Sequence, residues 1–320
     1  MSRTFAALAL WCSLPAVVGG AQAAKIDTQA ITVSGISAGA AMAQQLHIAY
    51  PELFSGVGLI AGVPWGCAEG SVMTALGRCT KTADTLPATE TFIAQLRAAA
   101  EAGRVGDLGL LADDRAWLFH GTLDTAVAEP VSLAAKAVYE AFIDAGQIHW
   151  EGGIPAGHTF PTLDQGNACD ALAPPFVGAC NFDAAGALLA YLYPGPEQPD
   201  PETVAELTAV EIPGAANAGL AATAWLYRPA SCPAQGCGLH LVLHGCGQSE
   251  TQVGKQFMEL SGYLPWAAAK QVILAFPQVA ASPVNPLACW DWWGYTGANY
   301  LDRDGAQLKL LAEWIASLGE

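Results

Sequence analysis

Residues 30–39 read AITVSGISAG, and this stretch decides the fold. AITVS is short and rich in β-branched residues, which predicts a buried strand. GISAG matches the GxSxG nucleophile elbow, a tight, strained turn that exposes the serine hydroxyl, here that of Ser37. The Ala-rich residues 38–47 predict a helix whose N-terminus points at the serine and favours negative charge. An ordinary turn of small residues is the alternative, but the strand before and the helix after indicate an α/β hydrolase-type core.

A serine nucleophile needs a base, and the base needs an acid that orients it. Asp124 lies just past a predicted strand at residues 116–120, and His158 lies in a loop after a predicted strand at residues 147–151. The chain order Ser, Asp, His is that of α/β hydrolases. We therefore predict that Ser37, Asp124 and His158 form a catalytic triad.

Other histidines and acids compete for these roles. His120 ends a strand close to Asp124 and is the strongest alternative base, whereas His149 falls inside a strand pattern and His47 inside the first helix. The remaining acids considered lie at the start of a strand or the end of a helix, where acids are usually only solvated: Asp113, Asp114 and Asp144. His158 is favoured because a base on a loop can reach over the serine.

The oxyanion hole has an unusual position in the chain. One donor should be the backbone N–H of Ala38, the residue after the nucleophile. The second usually comes from an HG-type loop upstream, but residues 239–248 (LHLVLHGCGQ) place such a strand and loop downstream, with Cys246 209 residues after Ser37. A circular permutation explains this order, with the Cys246 N–H as the second donor. A plain turn closed by a disulfide is the alternative.

The rest of the chain alternates strands and helices, which predicts an α/β fold with a mainly parallel sheet flanked by helices on both faces. Helices are expected at 91–102, 130–145, 183–193 and 306–318, and strands at 57–61, 205–212, 221–228, 239–243 and 272–276. The Pro-rich residues 194–202 (PGPEQPDPE) indicate a linker at the permutation point. We expect one catalytic domain over residues 24–320.

The first 23 residues read as a signal peptide. Arg3 provides the positive end, residues 5–18 are apolar but too short to span a bilayer comfortably, and Ala21-Gln22-Ala23 offers a cleavage pattern. A buried N-terminal helix is the alternative. We expect secretion, extracellular or periplasmic, and no membrane insertion of the mature chain.

Composition limits the partners. Hydrophobic residues make up 52% of the chain and charged residues 13%, so a large core is available. Removal of residues 1–23 takes away one arginine and no acid, which changes the net charge from −16 to −17. Such a surface repels nucleic acid and anionic lipid but accepts an uncharged polymer. We expect a monomer that needs no cofactor.

Eight of the nine cysteines remain after the signal peptide, which removes Cys12. An even number in an oxidising compartment argues for disulfides. Local spacing suggests Cys67–Cys79, Cys169–Cys180 and Cys232–Cys237, and leaves Cys246–Cys289 as a long-range pair. A zinc site is disfavoured, because no CxxC pair and no histidine at ligand spacing is present.

Residues 285–300 (NPLACWDWWGYTGANY) concentrate aromatic side chains in a turn-rich segment, namely Trp290, Trp292, Trp293, Tyr295 and Tyr300. Core packing is one explanation. The Gly, Pro and Asn content instead predicts that some rings lie at the surface beside the nucleophile, where they would suit an apolar polymer.

Taken in order, GISAG, HGTLDTAV, GHTFPT, LHGCGQ and NPLACWDWWG resemble the poly(3-hydroxybutyrate) depolymerases with a circularly permuted α/β hydrolase fold. The likeness runs from about residue 31 to the last predicted helix. It implies the triad and oxyanion donors named above, a crevice lined by Trp292, and an aromatic, Trp65, beside the site in GVPWGCA. It also implies no separate substrate-binding domain. Ala38 stands where serine is frequent, and Trp293 and Tyr295 differ in detail.

The resemblance implies a secreted serine esterase that hydrolyses poly(3-hydroxybutyrate), related short-chain polyhydroxyalkanoates or their oligomers through an acyl-enzyme. Two other classes stay open. A carbohydrate esterase, of the feruloyl or acetylxylan type, shares secretion, the elbow and the HG loop. A non-catalytic polymer-binding protein would keep the tryptophans without needing a complete triad.

Overall fold

The elbow follows a strand in the middle of the larger of the two sheets that the described residues form. The structure is a computed structural model that describes residues 25–81, 85–195, 206–230, 232 and 236–319. The predicted signal peptide and most of the predicted linker lie outside these ranges.

Strands and helices alternate as the sequence predicts. The strands are β1 (Ile26–Ile36), β2 (Gly56–Ile60), β3 (Arg115–Phe119), β4 (Ile148–Glu151), β5 (Phe160–Thr162), β6 (Asn167–Ala168), β7 (Val177–Ala179), β8 (Thr208–Glu211), β9 (Thr223–Tyr227), β10 (Cys237–Leu243) and β11 (Val272–Phe276). The helices are α1 (Ala38–Ala49), α2 (Val72–Leu76), α3 (Thr89–Glu101), α4 (Glu129–Tyr139), α5 (Ala184–Leu192), α6 (Glu250–Val253), α7 (Gln256–Leu260), α8 (Tyr263–Lys270) and α9 (Ala306–Leu318). Short 3₁₀ helices occupy Leu108–Leu111, Ala145–Gln147 and Ala215–Ala218.

The helix expected at residues 130–145 is shorter than predicted. Helix α4 ends at Tyr139, and the chain then turns so that the N–H of Asp144 donates to the carbonyl of Ala112 at 3.0 Å. This bond brings the chain back to the sheet for β4, which a continued helix would prevent.

Among the described residues, eight strands form one sheet in the order β4-β3-β2-β1-β10-β11-β9-β8. The pairs from β4 to β11 are parallel, and β9 pairs antiparallel with both β11 and β8. The predicted mainly parallel sheet is therefore confirmed. Since parallel strands end at the same edge, the loops after β1, β3, β4 and β10 all lie along one edge of the sheet.

The order of the strands explains the displaced HG loop. Strand β10 lies directly beside β1, with Gly35 opposite Leu243, although most of the chain separates the two strands in sequence. Strands β1–β4 precede the linker and β8–β11 follow it, yet both sets join in one sheet. This is the permuted arrangement that the sequence predicts.

Helices cover both faces of the sheet. On one face, α1, α3, α4 and α9 pack in a core with strand residues such as Leu241 and Leu243, and on the other face α5, α7 and α8 pack with Val242. The side chains of β10 thus alternate between two cores, as a strand buried on both faces requires. Within the described residues, no helix is long and apolar enough to cross a membrane.

The sequence did not predict the small second sheet, in the order β5-β7-β6, which follows the loop containing His158. It is closed by the disulfide Cys169–Cys180, and the structure forms the other three expected pairs as well: Cys67–Cys79, Cys232–Cys237 and Cys246–Cys289. The last pair closes the longest loop, with a sequence separation of 43 residues. Crosslinks of this kind restrict the unfolded chain, more so for longer loops.

A buried polar network crosses the pair β1–β10 beneath the elbow. Thr32 donates to the Tyr193 hydroxyl at 2.6 Å, so the Nδ1–H of His240, also 2.6 Å from Thr32 Oγ1, must donate to Thr32. The other ring nitrogen then accepts from Ser34 at 2.7 Å. Ser34 in turn lies 2.7 Å from the Tyr263 hydroxyl. Both ring nitrogens are satisfied in the neutral form of His240, which is fully buried.

We expect His240 to make the fold sensitive to acid. Burial lowers the pKa of His240 to about 3, from 6.5 in an unfolded chain. Between these values protons bind the unfolded chain preferentially. Stability that is present above pH 6.5 is therefore lost as the pH falls toward 3, at up to about 1.4 kcal/mol per pH unit. Urea unfolding of the wild type and of His240→Gln over a series of pH values measures this contribution. The difference in unfolding free energy between the two proteins should shrink steadily below pH 6.5, and a difference that stays constant would contradict the assignment.

Candidate active site

The backbone at Ser37 is strained. Ser37 has φ 57° and ψ −119°, a backbone conformation that residues other than glycine rarely adopt. Its N–H donates to the carbonyl of Ile60 at 2.9 Å, and its carbonyl accepts from Ala41 at 3.0 Å. These bonds hold the serine between the end of β1 and the start of α1, which is the geometry expected of a nucleophile elbow.

The two glycines of the elbow are required by close backbone contacts. A Cβ at Gly35 would lie 2.3 Å from the carbonyl oxygen of Gly39, and a Cβ at Gly39 would lie 2.3 Å from the carbonyl oxygen of Leu243. No side chain fits at either position. The second contact also shows that the end of β10 lies directly against the first turn of α1.

Asp124 is held by the turn that follows β3. One carboxylate oxygen accepts from the N–H groups of Ala126 at 2.8 Å and Val127 at 2.9 Å, and the other lies 2.8 Å from Nδ1 of His158. Burial disfavours the charged carboxylate, but the hydrogen bond and charge of His158, together with the two amides, outweigh it and lower the pKa of Asp124. The carboxyl group therefore stays ionised at neutral pH.

His158 is fixed in place through its loop. The N–H of Gly157 donates to the carbonyl of Cys169 at 2.9 Å, and the N–H of Leu123 donates to the carbonyl of Ala156 at 3.0 Å. The loops after β3 and β4 are thus bonded to each other. With Nδ1–H donating to Asp124, Nε2 is left as the proton acceptor of the neutral ring.

The competing histidines have other partners. His120 lies 2.9 Å through Nε2 from the carbonyl of Val127, so it braces the turn around Asp124 instead of meeting its carboxylate. His47 is buried and bonded to Tyr139 and Asp114, both at 3.0 Å. His149 is exposed, and its ring stacks on that of Trp117 on β3, with 6.3 Å between centroids. Among the described histidines, His158 alone lies within hydrogen-bond distance of the Asp124 carboxylate.

The loop after β10 touches the elbow. A Cβ at Gly245 would lie 3.3 Å from the carbonyl oxygen of Ile36, the residue before the serine. Ala38 is the first residue of α1, where the backbone N–H has no partner inside the helix. Cys246 follows Gly245 in the loop after β10 and forms a disulfide with Cys289. The structure therefore brings the two predicted oxyanion segments together from distant parts of the chain.

His244 orients the peptide that bears the Cys246 N–H. Its Nδ1–H donates to the carbonyl of Gly245 at 2.8 Å, and its Nε2 accepts from the N–H of Val279 at 3.2 Å. Burial lowers the pKa of His244 to about 4, against the opposing effect of the Gly245 bond, so the ring is neutral at neutral pH. Because C=O and N–H point in opposite directions across a trans peptide, a bond to the Gly245 oxygen fixes the direction of the Cys246 N–H.

The aromatic segment is folded around a buried carboxylate. Asp291, 1% exposed, accepts from the N–H groups of Gly294 at 2.7 Å and Tyr295 at 3.0 Å, and from both the N–H and the hydroxyl of Thr296 at 2.8 and 2.5 Å. This turn sets the rings of Trp292 and Trp293 edge to face, with 5.9 Å between their centroids. The role of Asp291 has no signature in the sequence, because it depends on a pattern of backbone bonds and not on a residue type.

The predicted aromatic residues occupy different depths. Trp290 is fully buried and donates its indole N–H to the carbonyl of His244 at 3.0 Å, so it supports the loop after β10. Trp293 and Tyr295 are partly exposed. Trp65 and Trp292 are 4% and 7% exposed, and both line a small pocket beside α1.

No group of three or more His, Cys, Asp or Glu side chains in the described part of the chain is arranged to hold a metal ion. The chemistry available at this edge of the sheet is that of an acid–base pair, a serine on a strained turn and backbone N–H groups.

Comparison with known proteins identifies relatives of the same kind. A family model described as esterase PHB depolymerase matches residues 7–154. A poly(3-hydroxybutyrate) depolymerase of Delftia acidovorans is 38% identical over 92% of this chain, which spans 60% of that protein. A polyhydroxybutyrate depolymerase of Talaromyces funiculosus is 30% identical over 92% of this chain and 90% of its own length.

Two solved structures share the fold. One is a PHB depolymerase from Penicillium funiculosum, and the other is a PHB depolymerase with a serine-to-alanine substitution in complex with an R3HB trimer. Each has a TM-score of 0.85 and 28% identity, over 93% of this chain and 98% of the other. The permuted fold predicted from the sequence is thereby confirmed.

Replacement of Asp291 should loosen the aromatic segment. We expect Asp291→Asn to lower the free energy of unfolding by about 1.5–3 kcal/mol, because the amide loses charge and turns an NH₂ group toward backbone N–H donors. Tryptophan emission of the folded variant should shift to the red. Asp302→Asn is the matched control, since Asp302 pairs with Arg104 near the surface and its loss should cost at most about 1 kcal/mol. Equal losses in both variants would contradict a special role for Asp291.

Proposed function

The chain belongs to the PHB depolymerase esterase family, and from that membership we propose that it hydrolyses poly(3-hydroxybutyrate) or its oligomers with Ser37 as nucleophile. The observation that supports this most strongly is the 2.8 Å hydrogen bond from His158 Nδ1 to the buried Asp124 carboxylate, at the sheet edge where Ser37 follows the end of β1. It gives the ring the orientation and tautomer that a general base for a serine needs.

In the proposed reaction, His158 takes the proton of Ser37 as the hydroxyl oxygen attacks the carbonyl carbon of an ester. Asp124 stabilises the imidazolium that forms. The N–H groups of Ala38 and Cys246 donate to the oxyanion of the tetrahedral intermediate. The alcohol end of the chain leaves with the proton from His158, and water then releases the acyl part from Ser37 through the same base.

Several features support an uncharged polyester as substrate. The net charge of −16 disfavours polyanions. Trp293 and Tyr295 are partly exposed and offer apolar surface in the aromatic segment, which Cys246–Cys289 ties to the loop after β10. The buried Trp292 packs edge to face against Trp293. One solved relative holds an R3HB trimer. We assign Trp293 and Tyr295 to the binding of the polymer chain, and the buried Trp65, Trp290 and Trp292 to the support of that surface.

We further propose that residues 24–320 form one catalytic domain that acts as a monomer outside the cytoplasm. The strands on either side of the linker share a single sheet, which argues against two separate domains. The four disulfides suit an oxidising compartment. Because insoluble polymer cannot enter a periplasm, an extracellular location fits the polymer, and a periplasmic one would fit soluble oligomers.

Clearing of a poly(3-hydroxybutyrate) suspension tests the substrate. The wild type should clear it and also cleave p-nitrophenyl esters, whereas Ser37→Ala should lose both activities by about 10⁶-fold. Wild type that cleaves the soluble ester but leaves the polymer and its oligomers untouched would overturn the polyester assignment. Release of ferulate or acetate from xylan would then indicate a carbohydrate esterase. Full activity in Ser37→Ala would overturn the mechanism.

Replacement of the acid tests the role of the His158–Asp124 bond. Asp124→Asn should lower kcat by about 10⁴-fold with little change in KM, because the amide favours the wrong tautomer of His158. Asp114→Asn is a control, since Asp114 meets a different histidine, His47. If Asp124→Asn stays within a few-fold of wild type, another residue must orient the base.

A further inference from the structure

Gln248 is a buried side chain that bonds to two different loops of the candidate active site. It is 2% exposed, and its Oε1 accepts from the N–H of Gly245 at 2.6 Å. Its Nε2 donates to the carbonyls of Pro175 and Phe176, each at 3.0 Å. One amide group therefore spans the gap between the loop after β10 and the segment that leads into β7.

The segment that leads into β7 is connected to the loop containing His158. The carbonyl of Phe176 also accepts from the N–H of Phe160 at 2.8 Å, and Phe160 lies two residues after His158 at the start of β5. Phe176 itself has φ 55°, a conformation that an L-residue adopts only when its surroundings hold it. A Cβ at Gly247 would lie 3.0 Å from the Phe176 ring, so the two segments are in close contact.

On the other side of Gln248, the loop after β10 carries the proposed oxyanion donor. Gln248 fixes the N–H of Gly245, and His244 fixes the carbonyl of the same residue. The peptide plane that follows carries the Cys246 N–H. Rotation of that plane would break the buried bond between His244 and the Gly245 carbonyl, and Gln248 holds the adjoining plane, which ends in the Gly245 N–H.

We propose that Gln248 is a positioning residue that sets the oxyanion N–H of Cys246 relative to the base His158. This inference rests on the proposed function and adds to it a residue that does not touch the reacting atoms. Only a side chain that both accepts and donates can fill the position: it must meet an N–H on one side and two carbonyls on the other. A carboxylate in its place would repel the two carbonyls. An apolar chain would leave the Gly245 N–H and the Pro175 carbonyl unpaired, while the Phe176 carbonyl would keep only its bond from Phe160.

The geometry predicts a defect in the chemical step. Gln248→Met, which keeps the length and volume of the side chain, should lower kcat for a soluble p-nitrophenyl ester by about 10- to 100-fold, since small displacements of catalytic groups have effects of this size. KM should stay within about twofold, because the residue does not contact the substrate. Affinity for a boronic acid that mimics the oxyanion should fall by the same factor as kcat.

The matched control is Gln278→Met. Gln278 is also buried, at 4% exposure, and its amide also spans an N–H and a carbonyl, those of Glu250 and Phe276, but the amide bonds to neither Gly245 nor the His158 loop. It should lose thermal stability like Gln248→Met but keep kcat within about twofold. Should Gln248→Met fail to fold, Gln248→Asn replaces it, because its amide is one methylene too short to reach both loops and the same loss of kcat is expected.

The proposal is overturned if kcat of the Gln248 variant is unchanged, or if Gln278→Met loses as much kcat and boronate affinity as the Gln248 variant. Neither result affects the proposed function, because that is tested separately by comparing Ser37→Ala with the wild type. Conversely, if Ser37→Ala keeps its esterase activity, the mechanism fails before the Gln248 variants are compared.

Discussion

The contact between the first turn of α1 and the end of β10 is the constraint on which the site depends. Gly39 lies so close to the Leu243 and His244 carbonyls that no side chain fits, with a Cβ at 2.3 and 2.5 Å. This contact places the oxyanion loop beside the strained backbone of Ser37. It exists because β10 pairs in parallel with β1 in unbroken register from Leu239 to Leu243. The separation of the two segments in the chain has no bearing on their distance in the fold.

The same contact explains the concentration of buried polar groups around this strand pair. The His240 network lies beneath the elbow, and His244 and Gln248 lie above it, all among buried residues. The bonds of His240 to Thr32 and Ser34, and those of Gln248 to the segment before β7, connect parts of the chain that are far apart in sequence. Buried polar networks of this kind are costly when incomplete and rigid when satisfied. Backbone N–H groups need such rigid support if they are to stabilise an oxyanion without reorganisation.

Much of this arrangement could be predicted from the sequence. The β-branched AITVS strand, the glycine-flanked Ser37 and the Ala-rich helix each have a local signature, and the HG motif at Gly245 showed the permutation by its position. The small sheet β5-β7-β6 has strands of two or three residues, too short for any periodicity to appear. Gln248 and Asp291 could not be assigned, because their roles depend on backbone groups that only the folded chain brings within reach.

The central claim is that two distant segments form one oxyanion hole at Ser37. A crystal structure of the enzyme inhibited by an alkyl phosphonate tests it most directly. We predict a covalent bond to Ser37 Oγ and a phosphonyl oxygen about 2.7–3.1 Å from the backbone nitrogens of both Ala38 and Cys246. A phosphonate on another residue, or one on Ser37 whose oxygen meets neither amide of this pair, would contradict the account.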